Sequence, residues 1–302
     1  MTSKILLTLF FLLPLMAQAK LSVITTTTDI KWLAQKIGGD KVQVESLLNG
    51  TEDPHYIDAM PHFIGKVANA DLFCLVGMEL EIGWAPKILS RSGNKHVQPG
   101  GRGYCETGKS VKALNVPTGK IDRSQGDIHP QGNPHYHLSP TAFLQGAQTI
   151  LDTLITVDSK NAEYYLKQFE ALESELNSIK KKVTQILEPV QKSNFLEYHR
   201  EFTYFMNEYK LNNLGAVEKV PGVPPSAGRL ARVSITAKNQ NIYAVLATTT
   251  SPSGILKKFN EMSKIPVVKL PLSILDQSDL SSYGKHQEFI ARKILQASID
   301  EK

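Results

Sequence analysis

The chain has 302 residues, 41% hydrophobic and 21% charged, enough for two ordinary α/β domains with a core each. Its formal charge of +5 is a mild excess dispersed along the sequence, so a nucleic-acid partner is not expected.

Taken in order, the chain opens with Lys4, an apolar run from Ile5 to Met16 and then Ala17-Gln18-Ala19. That pattern predicts a secretory signal peptide over 1–19, cleaved after Ala19. The run is too short to span a bilayer. No Cys follows the cleavage point to carry a lipid, so a protein free in a bacterial periplasm is expected. Leu21 to Thr26 reads as a strand, Asp29 to the Gly38-Gly39 stop as a helix, and Val42 to Leu48 as a second strand. Turn formers fill Asn49 to His55, Pro61 suits the first turn of a helix to Ala70, and Leu72 to Val76 is a third strand. Glu81 to Ser92 reads as helix, Gly93 to Gln125 shows little pattern, and Pro140 to Leu154 is helical again. Cys74 sits in the apolar third strand and Cys105 follows a Gly-rich loop. A disulfide between them is one reading; a buried thiol and an exposed one is the other.

From Asn161 to Leu187 the apolar residues Ala162, Tyr165, Phe169, Leu172, Leu176, Ile179, Val183 and Ile186 recur at steps of three and four. That spacing predicts one uninterrupted amphipathic helix, roughly 40 Å long at about 1.5 Å per residue. Beyond it, strands at Asn194–Tyr198, Leu214–Val217, Ile242–Ala247 and Val267–Leu270 alternate with helices at 202–210, 226–237, 252–262 and 282–299. The proline-rich run Val220 to Pro225 can only be a stiff loop. Strands alternating with helices in both halves predict two parallel-sheet lobes, 20–160 and 188–302, joined by a rigid helix at 161–187.

Three of the eight His stand where α/β sheets carry ligands, beyond strand ends or at a loop before a helix. His55 ends the Gly50-Thr51-Glu52-Asp53-Pro54-His55 loop, His135 lies in Gly132-Asn133-Pro134-His135-Tyr136, and His199 follows Tyr198. In this order around a long central helix, the motifs resemble those of the periplasmic solute-binding proteins of zinc and manganese ABC importers. The run from Glu218 to Ser226 is similar to a proline-rich element of a zinc-binding branch. The resemblance covers essentially the whole mature chain. It implies a metal held between two lobes, capture for a membrane permease and its ATPase, and no enzymatic step; a monomer is expected.

Carried over by position, the resemblance implies His55, His135 and His199 as ligands. It implies a carboxylate as the fourth, for which Asp276 is chosen ahead of Asp279, Glu218 or a water. Three imidazoles and one carboxylate suit tetrahedral Zn²⁺ better than Mn²⁺, which prefers more oxygen. Neutral His is needed to bind, so affinity is expected to fall as pH drops through about 6.5. His129 could add metal capture or lie in a solvated connector, and that choice stays open. His137 reads as connector, and His62, His96 and His286 as surface residues. A metal-dependent adhesin or periplasmic zinc chaperone on the same scaffold is the near alternative. A zinc hydrolase is the distant one, for no H-E-x-x-H or G-x-S-x-G signature occurs.

Overall fold

The computed structural model describes residues 19–119, 121 and 126–297. The expected signal peptide, apart from Ala19, and the expected helix end at Ile299 lie outside the described residues.

Two four-stranded, wholly parallel sheets form the two halves. The first holds β1 (Leu21–Thr25), β2 (Val42–Ser46), β3 (Leu72–Leu75) and β4 (Tyr104–Glu106) in the order β2-β1-β3-β4. The second holds β5 (Asn194–Glu197), β6 (Asn212–Ala216), β7 (Ile242–Thr248) and β8 (Val267–Leu270) in the same pattern, β6-β5-β7-β8. Parallel neighbours need a crossover between them. In the first half α1 (Thr28–Gly38), α2 (Pro61–Ala68) and α3 (Ala85–Ser92) supply it. Next come α4 (Pro140–Val157) and the long α5 (Ala162–Leu187). The second half adds α6 (Thr203–Glu208), α7 (Ala227–Asn239), α8 (Ser253–Ser263) and α9 (Tyr283–Gln296). No helix among the described residues is long and apolar enough to cross a membrane.

Local chemistry sets the boundaries. Thr27, in extended conformation, caps α1 with its hydroxyl on the Ile30 N–H, so the helix starts just ahead of Asp29. Ser226 caps α7 in the same way, and Pro61 occupies the first turn of α2. The expected helix at Glu81 begins only at Ala85, because the Glu81 carboxylate turns into the sheet. It accepts from Thr26 Oγ1 at 2.7 Å, Val76 N at 2.8 Å and Gly77 N at 3.1 Å, tying the ends of β1 and β3 together. β4 was not expected, since three residues after a Gly-rich loop carry no legible period. It places Cys105 beside Cys74 in register; both thiols are free and both are buried, so the exposed thiol does not occur.

The apolar stripe of α5 serves two cores. Tyr165, Leu172 and Leu176 pack with Trp32, Phe143 and Ile150, whereas Val183 and Leu187 pack with Phe205, Leu246 and Ile290; Ile179 touches both groups. The second half also reaches into the first. Tyr283 of α9 lies between Trp32 and Phe143, with ring centroids 5.3 and 4.7 Å away. Thr28 Oγ1 donates to Ile274 O at 2.6 Å, and Ile274 N donates to Asp29 Oδ1 at 3.1 Å. Gly50 allows this approach: its φ is +95°, and a Cβ there would stand 2.1 Å from Ile274 O.

Removing three carbons from Leu176, 1% exposed at the centre of α5, should leave a cavity that rigid neighbours cannot fill. Leu176→Ala is expected to lower unfolding free energy by about 2–5 kcal/mol in urea denaturation. A loss under about 0.5 kcal/mol would show that the helix is not part of that core.

Candidate metal site

The site lies where the loops after β2 and β5 face the segment that enters α4. Each of its imidazoles is set by its own local structure. His55 follows a turn in which Glu52 Oε2 gathers the N–H groups of Asn49, Gly50 and Thr51 at 3.0–3.2 Å. Asp53 Oδ1 then accepts from both the His55 backbone N–H, at 3.0 Å, and its Nδ1, at 2.8 Å. The buried Trp84 indole holds the Pro54 carbonyl at 2.8 Å from the other side. With Nδ1 committed to a carboxylate, the neutral ring presents Nε2 to the cleft.

His135 is placed by Tyr136, whose fully buried hydroxyl bonds to Thr107 Oγ1 and, at 3.1 Å, to Val76 O at the end of β3. Asn133 bridges the lobes here. Its Oδ1 accepts from His135 N at 2.9 Å while its Nδ2 donates to Arg200 O, next to His199, at 2.6 Å. Gly132 makes the bend with φ +108°, and a Cβ would fall 2.6 Å from that of Ala113. His199, directly after β5, donates Nδ1–H to Glu218 Oε2 at 2.9 Å, and Glu218 in turn accepts from Gly222 N in the proline-rich loop at 2.9 Å.

One nitrogen from each of His55, His135 and His199 lies within 4.8 Å of the others. His135 is 1% exposed, and neither of its ring nitrogens has a hydrogen-bond partner. An orphaned buried imidazole costs roughly 1–3 kcal/mol, which a bound ion would offset. The three rings therefore fit a first-row divalent ion.

The electrostatics differ from ring to ring. Burial holds His135 well below the usual imidazole range, with neighbouring His charges adding to it. Burial also pulls His199 down, but its bond to Glu218 and the charges of Glu201, Glu218 and Glu197 outweigh it, raising it to about 9. Burial pushes Glu201 up to about 8 against the opposing pull of His199. Asp53 is lowered: burial would raise it, but the His55 bond prevails.

Asp276 is not part of the group. Its Oδ2 pairs with Lys31 Nζ at 2.6 Å and its N–H donates to Asn49 O at 3.2 Å, on the staple between the halves. The segment after β8 turns back toward α1, which carries that carboxylate away from the imidazoles. Glu218 supports His199 instead of completing the group. His129 lies against the site, its Nε2 3.3 Å from that of His55. The expected connector and surface roles of two other His are corrected: His137 and His286 are buried and bond Leu272 O and Pro271 O at 3.0 and 2.9 Å. Helical spacing on the inner side of α9 was the signal available for His286. A cleft of 440 Å³ opens on the His129, His135 and His199 side.

Comparison with known proteins agrees with this architecture. The chain is 25% identical over 294 residues to the zinc-binding lipoprotein AdcA of Streptococcus pneumoniae, covering 93% of this chain and 56% of that protein. It thus spans about half the length of that relative. It is 24% identical over 256 residues to the manganese ABC transporter substrate-binding lipoprotein PsaA of the same organism, covering 82% and 78%. The crystal structure of a zinc-bound ZnuA deletion mutant superposes with a TM-score of 0.76 at 24% identity, covering 92% of this chain and 98% of that one. The sequence pattern of the ZnuA family, the periplasmic component A of zinc-uptake complexes, matches residues 23–297, and the chain belongs to that family.

Proposed function

We propose that this protein captures a divalent transition-metal ion, Zn²⁺ by preference, in the periplasm and delivers it to the permease and ATPase of an ABC importer. The observation that carries the reading is the convergence of three imidazoles from both halves, one of them the buried His135 ring whose nitrogens have no protein partner. Nitrogen donors on a compact site favour Zn²⁺, whereas Mn²⁺ would call for oxygen donors that the group does not contain. His55, His135 and His199 are the ligands in this reading. The protein binds and releases the ion without making or breaking a covalent bond. It works as a single chain, mature from Lys20.

Competition with a chromophoric chelator, on protein purified without added metal, tests the ligand set. His55→Ala and His199→Ala are expected to weaken Zn²⁺ binding by well over 100-fold, beyond the 10–100-fold typical of a lost supporting partner. Asp276→Ala removes a partly exposed ion pair worth about 1 kcal/mol or less and should leave Zn²⁺ affinity unchanged. Full affinity in His199→Ala would remove that residue from the site, and its loss in Asp276→Ala would restore the carboxylate as ligand.

The pH dependence carries a sign that the ordinary imidazole range does not supply. His199 is raised to about 9, so at neutral pH the metal-free protein holds a proton there that an ion must displace. His135, held low by burial, requires no such exchange. Zn²⁺ affinity is therefore expected to keep rising above pH 7, by up to about tenfold per unit, and to level off near 9. A plateau already reached at pH 7 in the same titration would contradict the placement of that proton.

A further inference from the structure

The loop that returns to the site through Gly126 to Pro130 makes no use, in the reading above, of the imidazole it brings there. Yet that ring, like those of His55 and His199, has its Nδ1 held by an oxygen. His129 Nδ1 bonds Met78 O at 3.0 Å. A carbonyl oxygen only accepts, so Nδ1 carries the hydrogen and the neutral ring has a bare Nε2. The acceptor is itself posed by an unusual turn in which Gly77, Met78 and Glu79 all have positive φ, 82°, 54° and 64°. Two residues earlier the loop is anchored again. The Tyr56 hydroxyl donates to Asp127 Oδ2, and Asp127 N donates to Pro221 O of the proline-rich loop at 2.9 Å. The strap thus ties the first half to the second on either side of the cleft.

The same logic applies to His55, whose Nδ1 is committed to Asp53 and whose Nε2 is bare in the neutral ring. The two Nε2 atoms face each other at 3.3 Å. Two lone pairs at that distance repel unless something positive lies between or beside them. Metal–nitrogen bonds of about 2.0–2.1 Å in a tetrahedron put neighbouring nitrogens about 3.3–3.4 Å apart. The separation across the His55–His129 pair matches that tetrahedral edge, while the nitrogens that all lie within 4.8 Å of one another among the described residues are those of His55, His135 and His199.

We propose that His129 is the fourth ligand, so that the strap closes a four-imidazole site with His55, His135 and His199. This rests on the metal-capture reading above and adds to it the residue that decides specificity. With nitrogen at all four corners the site accepts Zn²⁺ or Co²⁺ and disfavours Mn²⁺.

X-ray absorption at the zinc edge counts imidazoles directly, and the Co²⁺-loaded protein reports coordination number in its visible spectrum. Wild-type protein is expected to show four imidazoles, and His129→Ala three with a new oxygen, together with at least a tenfold weaker Zn²⁺ affinity. Asp127→Asn loosens the strap but keeps the ring, and should retain the four-imidazole signature with a smaller loss. Three imidazoles in wild type, or absorption spectra unchanged by His129→Ala, would overturn the fourth ligand while leaving the capture function standing, provided His55→Ala still abolishes binding. Asp127→Asn weakening binding as much as His129→Ala, with identical spectra, would make strap closure the cause and overturn it too. Wild-type protein that fails to bind Zn²⁺ would sink both readings.

Discussion

The geometry of the site depends on a single constraint: one helix carries the apolar stripe of two hydrophobic cores. Tyr165, Leu172 and Leu176 are committed to the first core and Val183 and Leu187 to the second, with Ile179 at the crossing. A 26-residue helix without Gly or Pro cannot bend between those commitments without breaking main-chain hydrogen bonds or pulling packed side chains apart. The relation between the two sheets is therefore set by packing. Tyr283 wedged against Trp32 and Phe143, and Asp29 and Thr28 bonded to Ile274, reinforce it from the other end of the second half. Imidazoles that come from both halves can then converge, their nitrogens within 4.8 Å of one another, because packing fixes the bodies that carry them.

On that fixed frame the site is oriented from outside. Asp53 and Glu218 each hold the Nδ1 of a clustered imidazole, His55 and His199, and Glu218 in turn holds Gly222. Asn133 spans the cleft between the backbone of His135 and that of Arg200. Such partners fix ring orientation and make the facing nitrogen more basic. They also explain the stiff composition of the loop at Val220 to Pro225, whose prolines limit the conformations from which that contact must be recovered.

The layers of this arrangement were unequally legible in the sequence. Helix α5 was readable almost to the residue, since an uninterrupted helical period is a local signal. So were the strands with continuous apolar runs, such as Leu72 to Leu75, and the positions of His55, His135 and His199 at loop ends. β4 was not, because three residues at a sheet edge have neither period nor length. The pairing of Asp276 with Lys31 was not legible either. It depends on the path of the chain after β8, which no local pattern encodes. The burial of His137 and His286 failed to show for a related reason: an imidazole satisfied by one carbonyl is as acceptable inside as outside, so residue type does not decide. His129 lay in a polar loop whose anchoring depends on Tyr56, Met78 and Pro221, each from a different segment.

Charge balance gives a reason for the carboxylate's absence from the group. A divalent ion brings two positive charges into a place where His135 is almost wholly buried. Asp53 and Glu218 already stand one hydrogen bond behind the His55 and His199 rings, two carboxylates for two charges. Burial pushes Glu201, a third acid close to His199, up to about 8 against the opposing pull of the His199 charge. A directly bound Asp276 would add a further negative charge whose desolvation in the cleft costs several kcal/mol unless fully compensated. Anchored to Lys31 it meets a cation at the rim, where water screens both. In the function proposed above, the acids behind the rings make them better nitrogen donors without becoming oxygen donors themselves, a separation that favours Zn²⁺ over a harder ion.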